Sequence, residues 1–303
     1  MNPIVSIRDL FRFWLPLQAT WLMMSLEGPF LAAVIARLAE PKHNLAAYGV
    51  AFALAILVEA PVIMMMSAST ALVDSRCNYR RLRHFMWILN GLITVTMLLL
   101  LFTPAWELLT DRAMGLDPEV ARLTWTSLLI LLPWPAAIGY RRFYQGLLIR
   151  AGLTRRVAWG TVIRLGSMAL TALGLYQFTD APGAWVGATS LSMAVCTEAV
   201  ASRIMAARVV REHLAKESEK TMSWRGIGDF YLPLALTSTI ALAVQPLVTF
   251  FMGQARFSLE SLAVLPVINS LVFIFRSPGL AYQEAAITML GRTWDNYGPV
   301  RVF

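Results

Sequence analysis

The chain has 303 residues, 57% of them hydrophobic and only 15% charged, with a mean hydropathy of +0.60 and a formal net charge of +8. A water-soluble domain needs a more charged surface than this, so an ordinary globular fold is excluded and lipid becomes the principal solvent. The basic excess is not a nucleic-acid footprint, because the arginines and lysines stand between long apolar runs rather than beside stacking aromatics on one exposed face.

A helix needs roughly 20 apolar residues to cross the hydrocarbon. On that measure the sequence predicts spans at 13–38, 45–73, 85–105, 121–140, 157–178, 183–206, 228–253 and 259–289. The expected fold is an all-α integral membrane protein, a polytopic bundle of about eight transmembrane helices. A β-barrel would show short segments of alternating hydrophobicity, whereas Trp87 to Phe102 is a predominantly apolar run with no charged residue. The first span is longer than a signal-peptide apolar region and has no clean small-residue cleavage site, so it reads as a retained helix.

Charge sets the expected orientation. With the N-terminus inside, 19 arginines and lysines fall in inner segments and five in outer ones, leaving Arg164 and Arg276 within the membrane. This bias predicts a multi-pass protein of the plasma (inner) membrane with both termini cytoplasmic. Trp14, Trp87, Trp106, Trp159, Trp185 and Trp224 fall near span ends, as an interfacial belt requires. Cys77 and Cys196 are too far apart in sequence to suggest a disulfide framework, and His43, His84 and His213 lie in separate loops; no metal site and no cofactor are expected.

An internal repeat organises the chain. Shifted by 217 residues, Trp14-Leu15-Pro16-Leu17 aligns with Tyr231-Leu232-Pro233-Leu234, and the register continues without a gap: Pro29 on Pro246, Leu45-Ala46 on Leu262-Ala263, Val50 on Val267, Pro61 on Pro278. Proline removes a backbone hydrogen bond and costs about 3 kcal/mol in an ordinary helix interior, so matched intrahelical prolines are a strong coincidence. Both copies start on the same side, which predicts two parallel-repeat halves around an axis along the membrane normal. The expected domains are a six-helix half over 1–210, a cytoplasmic linker over 211–226 and the first two helices of a second half over 227–303.

Several segments resemble the MOP flippase superfamily: Leu15-Pro16-Leu17 in the opening helix, Leu45-Ala46-Ala47-Tyr48-Gly49-Val50-Ala51 at the start of the second span, and Arg142-Phe143-Tyr144-Gln145-Gly146 after the fourth. That superfamily includes multidrug and toxin extrusion (MATE) transporters, lipid-linked oligosaccharide flippases and ANK-type anion exporters. The stretch from Tyr48 to Pro61 and the basic run after Val73 are most similar to a bacterial MATE-like or ANK-like member. The resemblance implies twelve or more helices in two six-helix halves, so the chain is expected to be C-terminally truncated, lacking helices nine to twelve.

Ionisable groups inside the membrane are expensive and tend to be kept for use. The repeat places Glu59 on Arg276, each two residues before its matched proline. They form either a gate or substrate-competed ion pair, in which a carboxylate or phosphate displaces Glu59 from the guanidinium, or a plain interhelical tie. Glu284 is a further candidate for the cavity wall. Glu27 precedes Gly28-Pro29 and Gln245 directly precedes the matched Pro246, so both are candidates for coupling to H+ or Na+, beside carbonyls freed by a proline kink. Pro29, Pro61, Pro246 and Pro278, with Pro133 and Pro135 in span four, are hinge candidates. Glu198 and Arg164 are expected to snorkel or pair locally, and Arg141 and Arg142 to form a basic inner mouth.

The expected function is secondary-active export, as an antiporter moving small organic or anionic and phosphorylated substrates by alternating access between two bundles. A flippase for a lipid-linked oligosaccharide is the alternative, and a membrane scaffold or enzyme the third class. No P-loop, His-based metal motif or nucleophile–base set points to an enzyme. The expected partners are the bilayer and a small-molecule or lipid-linked substrate, and no nucleic acid.

Overall fold

The computed structural model describes residues 6–215, 222–290 and 297–302. In chain order the helices are α1 (Ile7–Ser25), α2 (Glu27–Ile35), α3 (Pro41–Glu59), α4 (Met65–Leu72), α5 (Arg76–Phe102), α6 (Ala105–Glu107), α7 (Pro118–Ile130), α8 (Pro133–Arg150), α9 (Thr154–Phe178), α10 (Gly183–Met205), α11 (Ala207–Ala215), α12 (Trp224–Gly253), α13 (Ser258–Leu290) and α14 (Tyr297–Val302). No strand occurs among the described residues. The protein is an all-α membrane bundle: among the described residues seven segments are long and apolar enough to cross a bilayer, at Pro41–Leu72, Arg76–Phe102, Pro118–Arg150, Thr154–Phe178, Gly183–Met205, Trp224–Gly253 and Ser258–Tyr282.

These seven correspond to predicted spans two to eight. The first predicted span is broken at Leu26 into α1 and α2. Pro29 explains the break, since it has no N–H for the Ser25 carbonyl and its ring crowds that oxygen. Leu26 tightens the chain there, its N–H reaching both Leu22 and Met23 carbonyls at 3.3 Å. Span four is likewise two helices. Leu131 and Leu132 form a tight turn between α7 and α8, and Pro133 takes the first position of α8, where its missing N–H costs nothing. α8 then runs to Arg150, ten residues past the predicted end of the span, and carries Arg141 and Arg142 on helix rather than in a loop.

One face of α5 shows what surrounds the bundle. Ile88, Leu92, Val95, Leu99 and Phe102 recur at helical spacing and are all exposed, while Met86, Asn90, Ile93, Met97 and Leu101 are buried. A continuous apolar stripe of this kind belongs against lipid chains.

By its contacts the chain divides into two compact units, one formed from its ends, to Leu31 and from Val267, the other from Ala32–Pro266. In the first unit, Gln18 Nε2 donates to Ser277 Oγ at 3.3 Å and the rings of Trp21 and Phe273 meet edge-on at 6.2 Å. Gly28 allows α2 to lie directly on α13: a β-carbon there would stand 2.6 Å from that of Ser270.

In the larger unit, α10 lies against α9, α8, α7 and α3, and α4 against α8. Gly146 lets α8 approach α4, because a β-carbon at this position would be 2.4 Å from the Met66 carbonyl oxygen. Arg150 then caps α4, its Nη1 donating to the carbonyls of Thr70 at 2.7 Å and Ala71 at 3.1 Å. The chain entering α12 is fixed to α5: the Met222 N–H donates to Asn78 Oδ1 at 2.9 Å, and Arg81 donates to the Met222 carbonyl.

Since the Met66 oxygen is backbone and cannot swing away, even Gly146→Ala should destabilise the bundle, by about 1–3 kcal/mol. A lowered unfolding midpoint in detergent micelles, set against an unchanged midpoint for Gly166→Ala, where a β-carbon meets nothing within 4 Å, is the expected result.

Candidate functional site

The larger unit buries a cluster of charges between α3, α8, α9 and α10. Its centre is Glu198 on α10, only 1% exposed. Arg141 Nη1 on α8 donates to Glu198 Oε2, and Gln145 Nε2, one turn further along the same face of α8, donates to Oε1 at 3.0 Å. Arg164 of α9 brings Nη1 to within 4.0 Å of Oε2. Glu198 therefore does not snorkel to the surface; the alternative expectation, local pairing, describes it. Arg141 is equally buried, which corrects its placement at an inner mouth.

Glu59 ends α3, because Pro61 cannot donate to the Leu57 carbonyl and the chain tightens into a 3₁₀ turn over Ala60–Val62. The opened turn exposes carbonyls that α12 satisfies. Ser238 Oγ donates to Ala60 O at 2.9 Å, and the Tyr231 hydroxyl to Pro61 O at 2.6 Å. Held this way, the Glu59 side chain is 6% exposed, and its Oε2 accepts no hydrogen bond among the described residues. The charges that act on it are the guanidinium groups of Arg141, Arg142 and Arg164. Arg142 is half-buried, and its Nη1 donates to the Met66 sulfur, a weak acceptor, at 3.6 Å.

The arrangement thus holds three arginines and two glutamates, one positive charge in excess when all are ionised. Arg141 is hydrogen-bonded to Glu198, and Arg164 stands 4.0 Å from it. Among the described residues Arg142 has no oxygen partner, and Glu59 has an oxygen without a donor. A group with this balance can take a carboxylate or phosphate, which a guanidinium binds through parallel hydrogen bonds.

The other sequence candidates lie elsewhere. Glu27, Arg276 and Glu284 belong to the first unit, Glu59 and Gln245 to the second. Glu27 is buried in the first turn of α2, and Arg276 is exposed on α13. The side chain of Glu284 lies outside the described residues. Gln245 is half-buried, and its carbonyl accepts the Thr249 hydroxyl at 3.0 Å. Of the hinge candidates, Pro29, Pro61 and Pro133 stand at helix breaks, Pro135 lies one turn into α8, and α12 and α13 run unbroken through Pro246 and Pro278. The sequence reading missed Glu198 as the centre because it ended span four before Arg141. The helical spacing of Arg141 and Gln145 within an otherwise apolar stretch was the available signal.

No protein-family model and no curated protein matches the chain. Solved structures do. The chain superposes on an inward-facing multidrug resistance MATE family transporter of the MOP superfamily with a TM-score of 0.62 at 17% identity, over 93% of this chain and 66% of that one. It superposes on a MATE crystallised in the bent conformation with a TM-score of 0.65, also at 17% identity, over 98% of this chain and 68% of that one. The fold is that of the MATE transporters. The chain spans about two thirds of the length of these MATE structures.

Removing Glu198 strands the buried Arg141 guanidinium, so Glu198→Ala should cost about 3–5 kcal/mol. Glu59→Gln removes no hydrogen bond and should cost about 1 kcal/mol or less. Unfolding midpoints of the two variants in the same detergent would separate the structural carboxylate from the other.

Proposed function

We propose that the chain belongs to a secondary-active transporter that exports a small organic or phosphorylated anion by alternating access. The observation that carries this reading is the Glu59 carboxylate, buried in the field of Arg141, Arg142 and Arg164 without a donor for one oxygen. A buried carboxylate so placed is a stand-in for an anionic substrate. When substrate binds Arg142, Glu59 gives up its share of the positive field; when substrate leaves, Glu59 restores the balance. Glu198 and Gln145 hold the remaining arginines in position, so that the exchange takes place on a prearranged surface.

The wider scheme rests on the sequence. The repeat register matches Glu59 with Arg276, which makes Arg276 a candidate for gating, and Glu27 is the proposed site for H+ or Na+, beside the break at Leu26. The charge bias puts both termini in the cytoplasm of a cell whose inner membrane the protein spans. The MATE fold supports transport in general, and the arginine cluster favours an anion over a cation.

Reconstituted in proteoliposomes, the chain should take up inorganic phosphate or a tricarboxylate, and Arg142→Ala should lower the rate about tenfold, the effect of one lost charge-assisted contact. Arg142→Lys keeps the charge but not the fork and should recover only part of that loss. Arg276→Gln should shift KM for the anion without changing the unfolding midpoint. Transport of organic cations by wild type, with anions ignored and Arg142→Ala as active as wild type, would overturn the reading.

A further inference from the structure

A second feature lies on the outside of the larger unit. A groove of about 520 Å³ runs between α5, α8 and α10, lined by Trp87, Ala136, Tyr140, Cys196, Ala199 and Arg203 among others. On α10 its lining residues Cys196, Ala199, Val200, Arg203 and Ile204 share one helical face. It is open to the surroundings, with Trp87 53% and Ile204 68% exposed. The small side chains Ala136, Ala137 and Ala199 make the concavity.

Polarity along the groove is uneven. Among the described residues that line it Arg203 alone is charged, and it stands two residues before the end of α10. Its guanidinium lies 5.2 Å over the Tyr144 ring, and no carboxylate among the described residues pairs with it. Tyr140 bridges Tyr144 and Trp87, with ring centroids 4.8 Å and 5.6 Å apart, so one wall is continuously aromatic. From Arg203 to Cys196 the groove descends seven residues, about 10 Å along the helix, and beyond Arg203 its lining is uncharged. A cation at the helix end, an aromatic belt at the same level and an apolar channel below it reproduce the order of a phospholipid: phosphate, interface, acyl chain.

The geometry points to a binding site for an anionic phospholipid, its phosphate on Arg203 and one acyl chain along Ala199, Cys196 and Ala136. The charge bias of the sequence assigns this end of α10 to the cytoplasmic leaflet, where anionic lipids attract basic residues at about 1 kcal/mol each. The site is separate from the Glu198 cluster, which is buried on the inner side of the same helix. It does not depend on the proposed substrate.

Native mass spectrometry of the detergent-purified chain tests it, with phosphatidylglycerol and phosphatidylcholine of identical acyl chains as probes. Wild type should retain one phosphatidylglycerol in preference to phosphatidylcholine, and Arg203→Ala should weaken that retention about fivefold. Arg203→Lys should restore most of it, and Ala137→Trp, which fills the groove and leaves Arg203 in place, should abolish it. Glycerol phosphate, a headgroup without an acyl chain, should not compete. Equal retention of both lipids by wild type, undiminished preference in Arg203→Ala, or displacement by glycerol phosphate would each overturn the proposal.

Discussion

A carboxylate taken out of water has to be balanced close by, and in this bundle Glu198 is balanced by two helices at once. Arg141 and Gln145 reach it from α8 and Arg164 from α9. Because the pair is desolvated, its geometry must be good for the charges to be tolerated at all, and this fixes how α8, α9 and α10 are rotated about their axes. Other close contacts follow the same alignment. Gly146 and Arg150, on the same helix as Arg141, join α8 to α4, and α4 continues the segment that breaks at Glu59. Glu59 thus faces arginines whose positions Glu198 has already set.

The prolines show how neighbouring side chains decide whether a helix bends. Pro61 and Pro278 occupy equivalent places in the repeat, yet the chain breaks at the first and continues through the second. At Pro61 the opened turn is stabilised from outside, by Ser238 and Tyr231 donating to the exposed carbonyls. At Pro278 the carbonyl deprived of its N–H is that of Ile274, and Ser277 Oγ donates to it at 2.8 Å, so the helix keeps its hydrogen bonding without unwinding. Two copies of one sequence pattern therefore give one break and one continuous helix, through hydrogen-bond donors supplied from different places.

The exposed surface follows a different rule from the interior. Apolar side chains along one face of α5 are exposed to lipid, and the same helix borders the groove that carries Arg203. Burial here does not sort polar from apolar residues as in a soluble domain. Charges are admitted to the interior where opposite charges lie close by, and hydrophobic residues are left outside because lipid accepts them.

Composition and the lengths of apolar runs by themselves determined the class of this protein and the places of spans two to eight, because the cost of transferring a segment into hydrocarbon is summed locally along the chain. The prolines at 29, 61 and 133 were legible for the same reason: a missing N–H acts on the carbonyl four residues back. Which polar groups meet was decided only by tertiary structure. Glu198 finds Arg141 across 57 positions and Ser238 finds Ala60 across 178, and such meetings depend on the rotation of each helix about its axis, to which hydropathy is indifferent. A span boundary placed ten residues short was enough to read Arg141 as a loop residue, and with it the centre of the cluster was lost.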